Sequence, residues 1–184
     1  MSAAVQLERR YTYQEWSELD LGEHVRSELI DGYIYMMATP TRRHQGVLGN
    51  MFLQLGSYLR GKKCRVYVSP IAVRLAEDTE VQPDLIVICN PNKLTKSGCA
   101  GAPDLVVEIL SPSTSRYDRH TKFALYQQAR VPEYWLVDPA DNILTVHRLI
   151  ENGYITTTFA ETDTATVAAL PGFEMDLSAV FEDE

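Results

Sequence analysis

Residues 103–112 read PDLVVEILSP, and residues 83–88 read PDLIVI. Each phrase opens on Pro-Asp and runs on into apolar residues of the kind that fill the interior strands of a sheet. This doubled phrase fixes two buried strands near the middle of the chain. It also raises a difficulty at Glu108, which interrupts the second strand. Alternate strand residues share a face, so Val106, Glu108 and Leu110 point one way while Leu105, Val107 and Ile109 point the other. An isolated carboxylate among apolar neighbours costs several kcal/mol unless it is paired or neutralised. Glu108 is therefore a paired structural carboxylate, or lies on a face that emerges to solvent near Ser111, or belongs to a site, and carboxylates of this kind tend to mark sites.

The remaining pattern builds a mixed fold around these strands. TYQEWSEL (12–19) predicts a short helix with Thr12 as cap and Glu15 three residues on, a capping box. Ser27 to Met37 reads as a hairpin turned at Asp31-Gly32. His44 to Leu59 carries apolar residues at helical spacing and stops at Gly61. Cys64 to Leu75 is extended, with Pro70 indicating an edge or bulge. A polar loop, 90–101, joins the two Pro-Asp strands. Ser113-Thr114-Ser115 would cap a helix over 116–129. Val131-Pro132-Glu133 turns into a strand at Tyr134 to Asp138. A last hairpin, Ile143 to Arg148 and Tyr154 to Phe159, turns around Asn152-Gly153, and an ordered tail follows from Leu170. The expectation is a single α/β (α+β) domain over 1–184, with a mixed sheet, flanking helices and extra hairpins.

Composition narrows the function. The net charge of -8 excludes a non-specific nucleic-acid coat protein, because phosphate affinity comes from clustered Lys and Arg. It leaves room for an enzyme with acidic metal ligands and a local basic rim, which Arg42-Arg43 and Lys62-Lys63-Cys64-Arg65 can supply; the plainer account of each cluster is solvated surface charge. No apolar run approaches the roughly 18 residues of a membrane span. The N-terminus has no apolar signal core, and the three cysteines share no metal-ligand spacing. Cys64, Cys89 and Cys99 are accordingly expected to be reduced thiols of a cytoplasmic protein.

Asp84 opens its strand after a proline. Alone it reads as a turn residue. Beside Glu108 it completes a pair of carboxylates on neighbouring strands, the oxygen-rich environment that Mg²⁺ prefers. Downstream, Asp118, Lys122 and Tyr126 are spaced by four and share a helix face, so Lys122 could lean back toward Glu108. The plainer alternative is a surface Asp118–Lys122 pair worth a few tenths of a kcal/mol. Asp104 reads as structural, and Tyr126, Tyr134 and Trp135 as core or rim aromatics. Dinucleotide and P-loop signatures are absent, and so is a serine-hydrolase order.

Taken together, QPDLIVIC, GAPDLVVEILSPST and YDRHTKFALYQQARVPEYWLVDP resemble the Uma-type family of restriction endonucleases, in the PD-(D/E)xK nuclease superfamily. SELIDGYIYMM and HQGVLGNMFLQL resemble that family's opening, so the likeness covers roughly residues 10–150. It implies a restriction-endonuclease-like core and hydrolysis of nucleic-acid phosphodiesters, DNA in the first instance, with Mg²⁺ or Mn²⁺. It further implies Asp84 and Glu108 as metal ligands and catalytic acids, with Glu28 as an additional ligand. Leu110 stands where the motif's lysine falls, and the resemblance transfers that duty to Lys122 on the next helix. His44, Asp118 and Tyr126 are candidates for substrate contact or for supporting the site, as is His120. Cutting both strands of a duplex would be served by a homodimer. A module without catalysis, binding nucleic acid or protein on the same fold, is the alternative that Leu110 and the acidic surface favour.

Overall fold

The two Pro-Asp phrases form neighbouring antiparallel strands, and their repetition has a structural cause. In the computed structural model, Leu85 faces Val107. Asp84 and Asp104 stand just before their strands, and each reaches across to the far end of the other. Asp84 Oδ2 accepts the Ile109 N–H at 2.7 Å, and Asp104 Oδ2 accepts the Cys89 N–H at 2.7 Å. One carboxylate thus ties each end of the pair.

The structure describes residues 9–22, 25–111 and 118–182, with the side chains of 118 and 119 outside the description. In chain order, the first elements are α1 (Tyr13–Ser17), β1 (Ser27–Ile30), β2 (Tyr33–Met36), α2 (Arg42–Leu59), β3 (Arg65–Val68), β4 (Ala72–Ala76) and β5 (Thr79–Val81). They are followed by β6 (Leu85–Ile88), β7 (Gly98–Ala100), β8 (Leu105–Ile109), a π-helical turn Asp118–Lys122 and α3 (Phe123–Gln128). The chain continues with β9 (Glu133–Asp138), β10 (Ile143–Ile150), β11 (Gly153–Ala160), β12 (Thr164–Thr166), β13 (Glu174–Asp176) and α4 (Leu177–Phe181).

Among the described residues, the strands form three sheets. A six-stranded sheet runs β11-β10-β9-β8-β6-β3, a five-stranded one runs β2-β1-β5-β4-β7, and β12 pairs with β13. Within the larger sheet, β8 and β9 are parallel and the other neighbours antiparallel, so the sheet is mixed. Its alternating residues feed two separate cores. Leu105, Val107 and Ile109 join Val47, Met51 and Leu55 of α2, together with the C-terminal segment. Val106 and Leu110 join Val73 and Val81 of the second sheet and Leu125 and Tyr126 of α3. Glu108 lies on this second face, as strand alternation requires.

Local chemistry sets several boundaries. Thr12 and Glu15 make the capping box of α1, and Thr41 caps α2 by accepting the His44 N–H. Asp31 and Gly32 turn the first hairpin at φ 50° and 78°, the left-handed pair of a type I′ turn.

Four expectations are corrected. The extended stretch from Cys64 to Leu75 is two strands, β3 and β4, which leave Pro70 for different sheets; proline has no N–H to continue a ladder. The loop at 90–101 contains the short strand β7, which is parallel to β4. Ile150 pairs with Gly153, so the last hairpin turns at Glu151-Asn152. Finally, Cys64 and Cys89 are joined in a disulfide, S–S 2.07 Å, rather than reduced. Arg65 faces Ile88, so carrying that register one residue further sets the two cysteines opposite each other. Only Cys99 is a free thiol, and it is buried. The reduced-thiol argument for a cytoplasmic location therefore falls. Among the described residues no helix is long and apolar enough to cross a membrane. The expected cap at Ser113-Thr114-Ser115 lies outside the described residues.

Candidate catalytic site

Three elements distant in sequence converge on Glu108. β1 of the five-stranded sheet brings Glu28, β8 of the six-stranded sheet brings Glu108, and the turn leading into α3 brings Lys122. Glu28, Glu108 and Lys122 are 2%, 4% and 3% exposed, which rules out the account of Lys122 as a solvated surface residue. Lys122 Nζ donates to Glu108 Oε1 at 2.8 Å and to Glu28 Oε1 at 3.0 Å. One ammonium thus bridges carboxylates from two sheets. Buried charges survive only with such pairing and further hydrogen bonds, and both acids have them. Glu28 Oε1 also accepts the Gln82 N–H at 2.8 Å, and Glu108 Oε1 accepts the Tyr126 hydroxyl at 2.7 Å. Burial, then the Glu108 charge, pushes the Tyr126 phenol well above its usual pKa, so it stays a neutral donor.

Asp84 stands at the entrance to β6. The β6–β8 register, carried one residue past Leu85 and Val107, sets it opposite Glu108. Its Oδ2 takes the Ile109 N–H and lies 3.2 Å from His44 Nε2. His44 belongs to the first turn of α2 and is buried. Its Nδ1 is buried with no hydrogen-bond partner among the described residues. The imidazole therefore serves Asp84, fixing the orientation of that carboxylate and placing the start of α2 at this end of the sheet.

The structure gathers Glu28, Glu108, Lys122 and Tyr126 into one hydrogen-bonded group, with Asp84 and His44 at the adjoining strand end. The side chain of Asp118 lies outside the described residues. His120 is exposed, and Leu110 is packed in the core. The sequence pattern does not single out Gln82 or Arg26 as site residues. The Gln82 backbone holds Glu28, and its side-chain Oε1 accepts the Arg26 guanidinium. Their one sequence signal is the position of Gln82 immediately before Pro83-Asp84.

The donor chemistry suits a small, hard cation, because Glu28, Asp84 and Glu108 offer only carboxylate oxygens and Asp84 is 17% exposed at its side chain. Among the described residues, no three His, Cys, Asp or Glu side chains already surround one point. As arranged, the Lys122 ammonium fills the compensating position between Glu28 and Glu108.

Residues 11–178 match the family model Uma2, described as "Putative restriction endonuclease". The chain belongs to the Uma2 family. It is 29% identical over 143 residues to an uncharacterized protein of Synechocystis sp. (77% of this chain, 74% of the relative). A second uncharacterized protein of that organism is 28% identical over 117 residues (61% and 66%). A crystal structure from Anabaena variabilis, titled "putative nuclease belonging to DUF820", superposes with a TM-score of 0.77 at 21% identity, covering 92% of this chain and 97% of the other. The Uma2 chain shares that fold, a mixed sheet flanked by helices.

Proposed function

We propose that this Uma2 protein is a divalent-metal-dependent nuclease that hydrolyses phosphodiester bonds of DNA. The observation that carries the reading is the Lys122 ammonium seated against Glu108 on a buried strand, with Asp84 opposite. Family membership supports the reaction class. Asp84 and Glu108 would hold Mg²⁺ or Mn²⁺, with Glu28 assisting. When bound, such an ion supplies charge stabilisation at the phosphate and a more acidic water. The chain's own groups do the positioning. Tyr126 fixes the Glu108 carboxylate, His44 fixes Asp84, and Lys122 holds a positive charge beside the acid where negative charge develops. A homodimer would present two such sites to the two strands of a duplex.

The test is cleavage of labelled duplex DNA by wild type, Asp84→Asn, Glu108→Gln and Lys122→Met, with Mg²⁺, Mn²⁺ or chelator. We expect chelator to abolish cleavage and each substitution to reduce it about 100-fold or more. Equal cleavage by all four proteins removes the assignment.

A second reading is favoured by the same cluster. Lys122 already compensates Glu28 and Glu108, as it would in a module without catalysis that binds nucleic acid or protein. Calorimetric titration with Mn²⁺ separates the two: no heat of binding, together with no cleavage, leaves the module.

A further inference from the structure

We infer that the outward face of α2, with the loop that follows it, is a docking track for the phosphate backbone of duplex DNA, leading away from the Asp84 end of the site. This rests on the nuclease reading for the choice of polyanion, and on charge and geometry for the place.

The charges of the chain are segregated. No acid occurs between Asp31 and Glu77, although the chain as a whole carries 25 acids against 17 Lys and Arg. Seven of those basic residues fall inside this acid-free stretch. Arg42, Arg60, Lys62 and Lys63 are exposed. The side chains of Arg42, Arg60 and Lys63 make no hydrogen bond or ion pair with any described residue, and Lys62 rests over the Tyr58 ring. A protein with net charge -8 that concentrates such cations on one helix and loop has built a local site for phosphate.

The helix lines these charges up. Arg42 and Arg60 are five whole turns apart at 3.6 residues per turn, so they share one azimuth about 27 Å apart. Gly46, Gly49 and Leu53 lie between them on that face. Beyond the backbone of its own helix, a Cβ at Gly46 or Gly49 would meet no atom within 4 Å, so no packing among the described residues uses their smallness. Each glycine costs a helix interior about 1 kcal/mol relative to alanine. A surface that must approach the helix backbone closely gives them a use.

Two other occupants fit less well. In either twofold pairing of this face with a second copy, like-charged ends meet, which is unfavourable. A single strand wants a series of stacking rings, and Phe52 is the one exposed large aromatic on this face. The flank occupied by Asn50 and Gln54 is covered by the C-terminal segment that carries Glu174 and Asp176. That acidic border confines a duplex to the Gln45–Phe52 side.

The experiment is fluorescence-anisotropy binding of a 20-base-pair duplex across a salt series, in chelator, so that no cleavage occurs. We compare wild type, the face variant R42Q/R60Q/K62Q/K63Q and the control K96Q/R130Q, with circular dichroism checking the fold. The face variant should lower the slope of log K against log salt by about 3.6, roughly 0.9 for each phosphate that is no longer neutralised. The control should keep the wild-type slope. Gly49→Ala should raise thermal stability and yet weaken duplex binding. The track is overturned by an unchanged slope in the face variant, by an equal loss in the control, by no duplex binding in wild type, or by tighter binding of a single strand of equal length. The two readings fail separately. If the face variant alone loses binding while wild type never cuts, the track stands and the nuclease assignment falls. If wild type cuts and the face variant binds and cuts as well as it does, the reverse holds.

Discussion

Lys122 is the residue on which the buried charge of the site balances. Its ammonium touches Glu28 and Glu108 at 3.0 and 2.8 Å, and all three side chains are at most 5% exposed. Removing one partner of such a group leaves charge without its counterion in a low-dielectric interior, at a cost of about 3–5 kcal/mol. Lys122→Met should therefore lower the urea midpoint by a corresponding amount, and adding Glu108→Gln should recover part of the loss. A midpoint equal to wild type would mean that the triad contributes nothing to the fold. A second buried group gives a pH signature. His147 is enclosed by Phe123, Tyr134 and Tyr154, with Nδ1 2.8 Å from Thr156 Oγ1. Burial pulls its pKa from 6.5 down to about 4. Between those values the unfolded chain binds more protons than the folded one. The stabilising contribution is thus complete above pH 6.5 and is lost as pH falls toward 4. His147→Phe should flatten the decline of Tm across that window, measured by circular dichroism at four pH values. Parallel profiles for the two proteins would contradict this.

At the scale of elements, the two Pro-Asp aspartates share one structural duty and differ in their surroundings. Both accept a backbone N–H across the β6–β8 pair at 2.7 Å, yet only Asp84 also meets His44 beside Glu108. Asp104→Ala strands the Cys89 N–H and should cost about 1–3 kcal/mol, with DNA cleavage per folded molecule unchanged. Asp84→Asn keeps an acceptor for Ile109, so stability should move by less than about 1 kcal/mol while cleavage collapses. If both substitutions depress cleavage alike, Asp84 has no special role. The same pair shows what the sequence discloses and what it withholds. The strands, the Asp31-Gly32 turn and the faces of β8 follow from neighbours two to four residues apart, and local chemistry suffices to read them. β5 and β7 have three residues each, too short for a period to show. The Cys64–Cys89 bridge depends on the β3–β6 register, which no local signal carries. At the site, the misfit of Glu108 is visible in the sequence, whereas His44 reaches Asp84 across 40 positions and Lys122 reaches Glu28 across 94. Helical spacing admits Lys122 as a partner of Glu108, and the family likeness is what singles it out.

On the scale of the whole molecule, the site works as a clamp between layers. Glu28 comes from one sheet, Glu108 from the other, and Lys122 from the turn that seats α3, so the cluster forms only when both sheets and that helix are in place. The two apolar cores are coupled in the same way, because alternating residues of β6 and β8 feed both. Loosening either face disturbs strands that the other face needs, which should make unfolding a single event. The chain carries a reporter in each core. Trp135 lies in the core beneath α2, and Cys99 in the core beneath α3. Cys99 is also the free thiol. In a urea titration, with Trp16 replaced by Phe so that Trp135 reports alone, fluorescence and thiol labelling should follow one curve with one midpoint. Thiol labelling that rises at clearly lower urea than the fluorescence change would show that the five-stranded sheet opens on its own. Glu28 would then be carried away from Lys122 before the rest of the fold gives way, and chelator-free cleavage assays at that urea concentration should lose activity while Trp135 is still native.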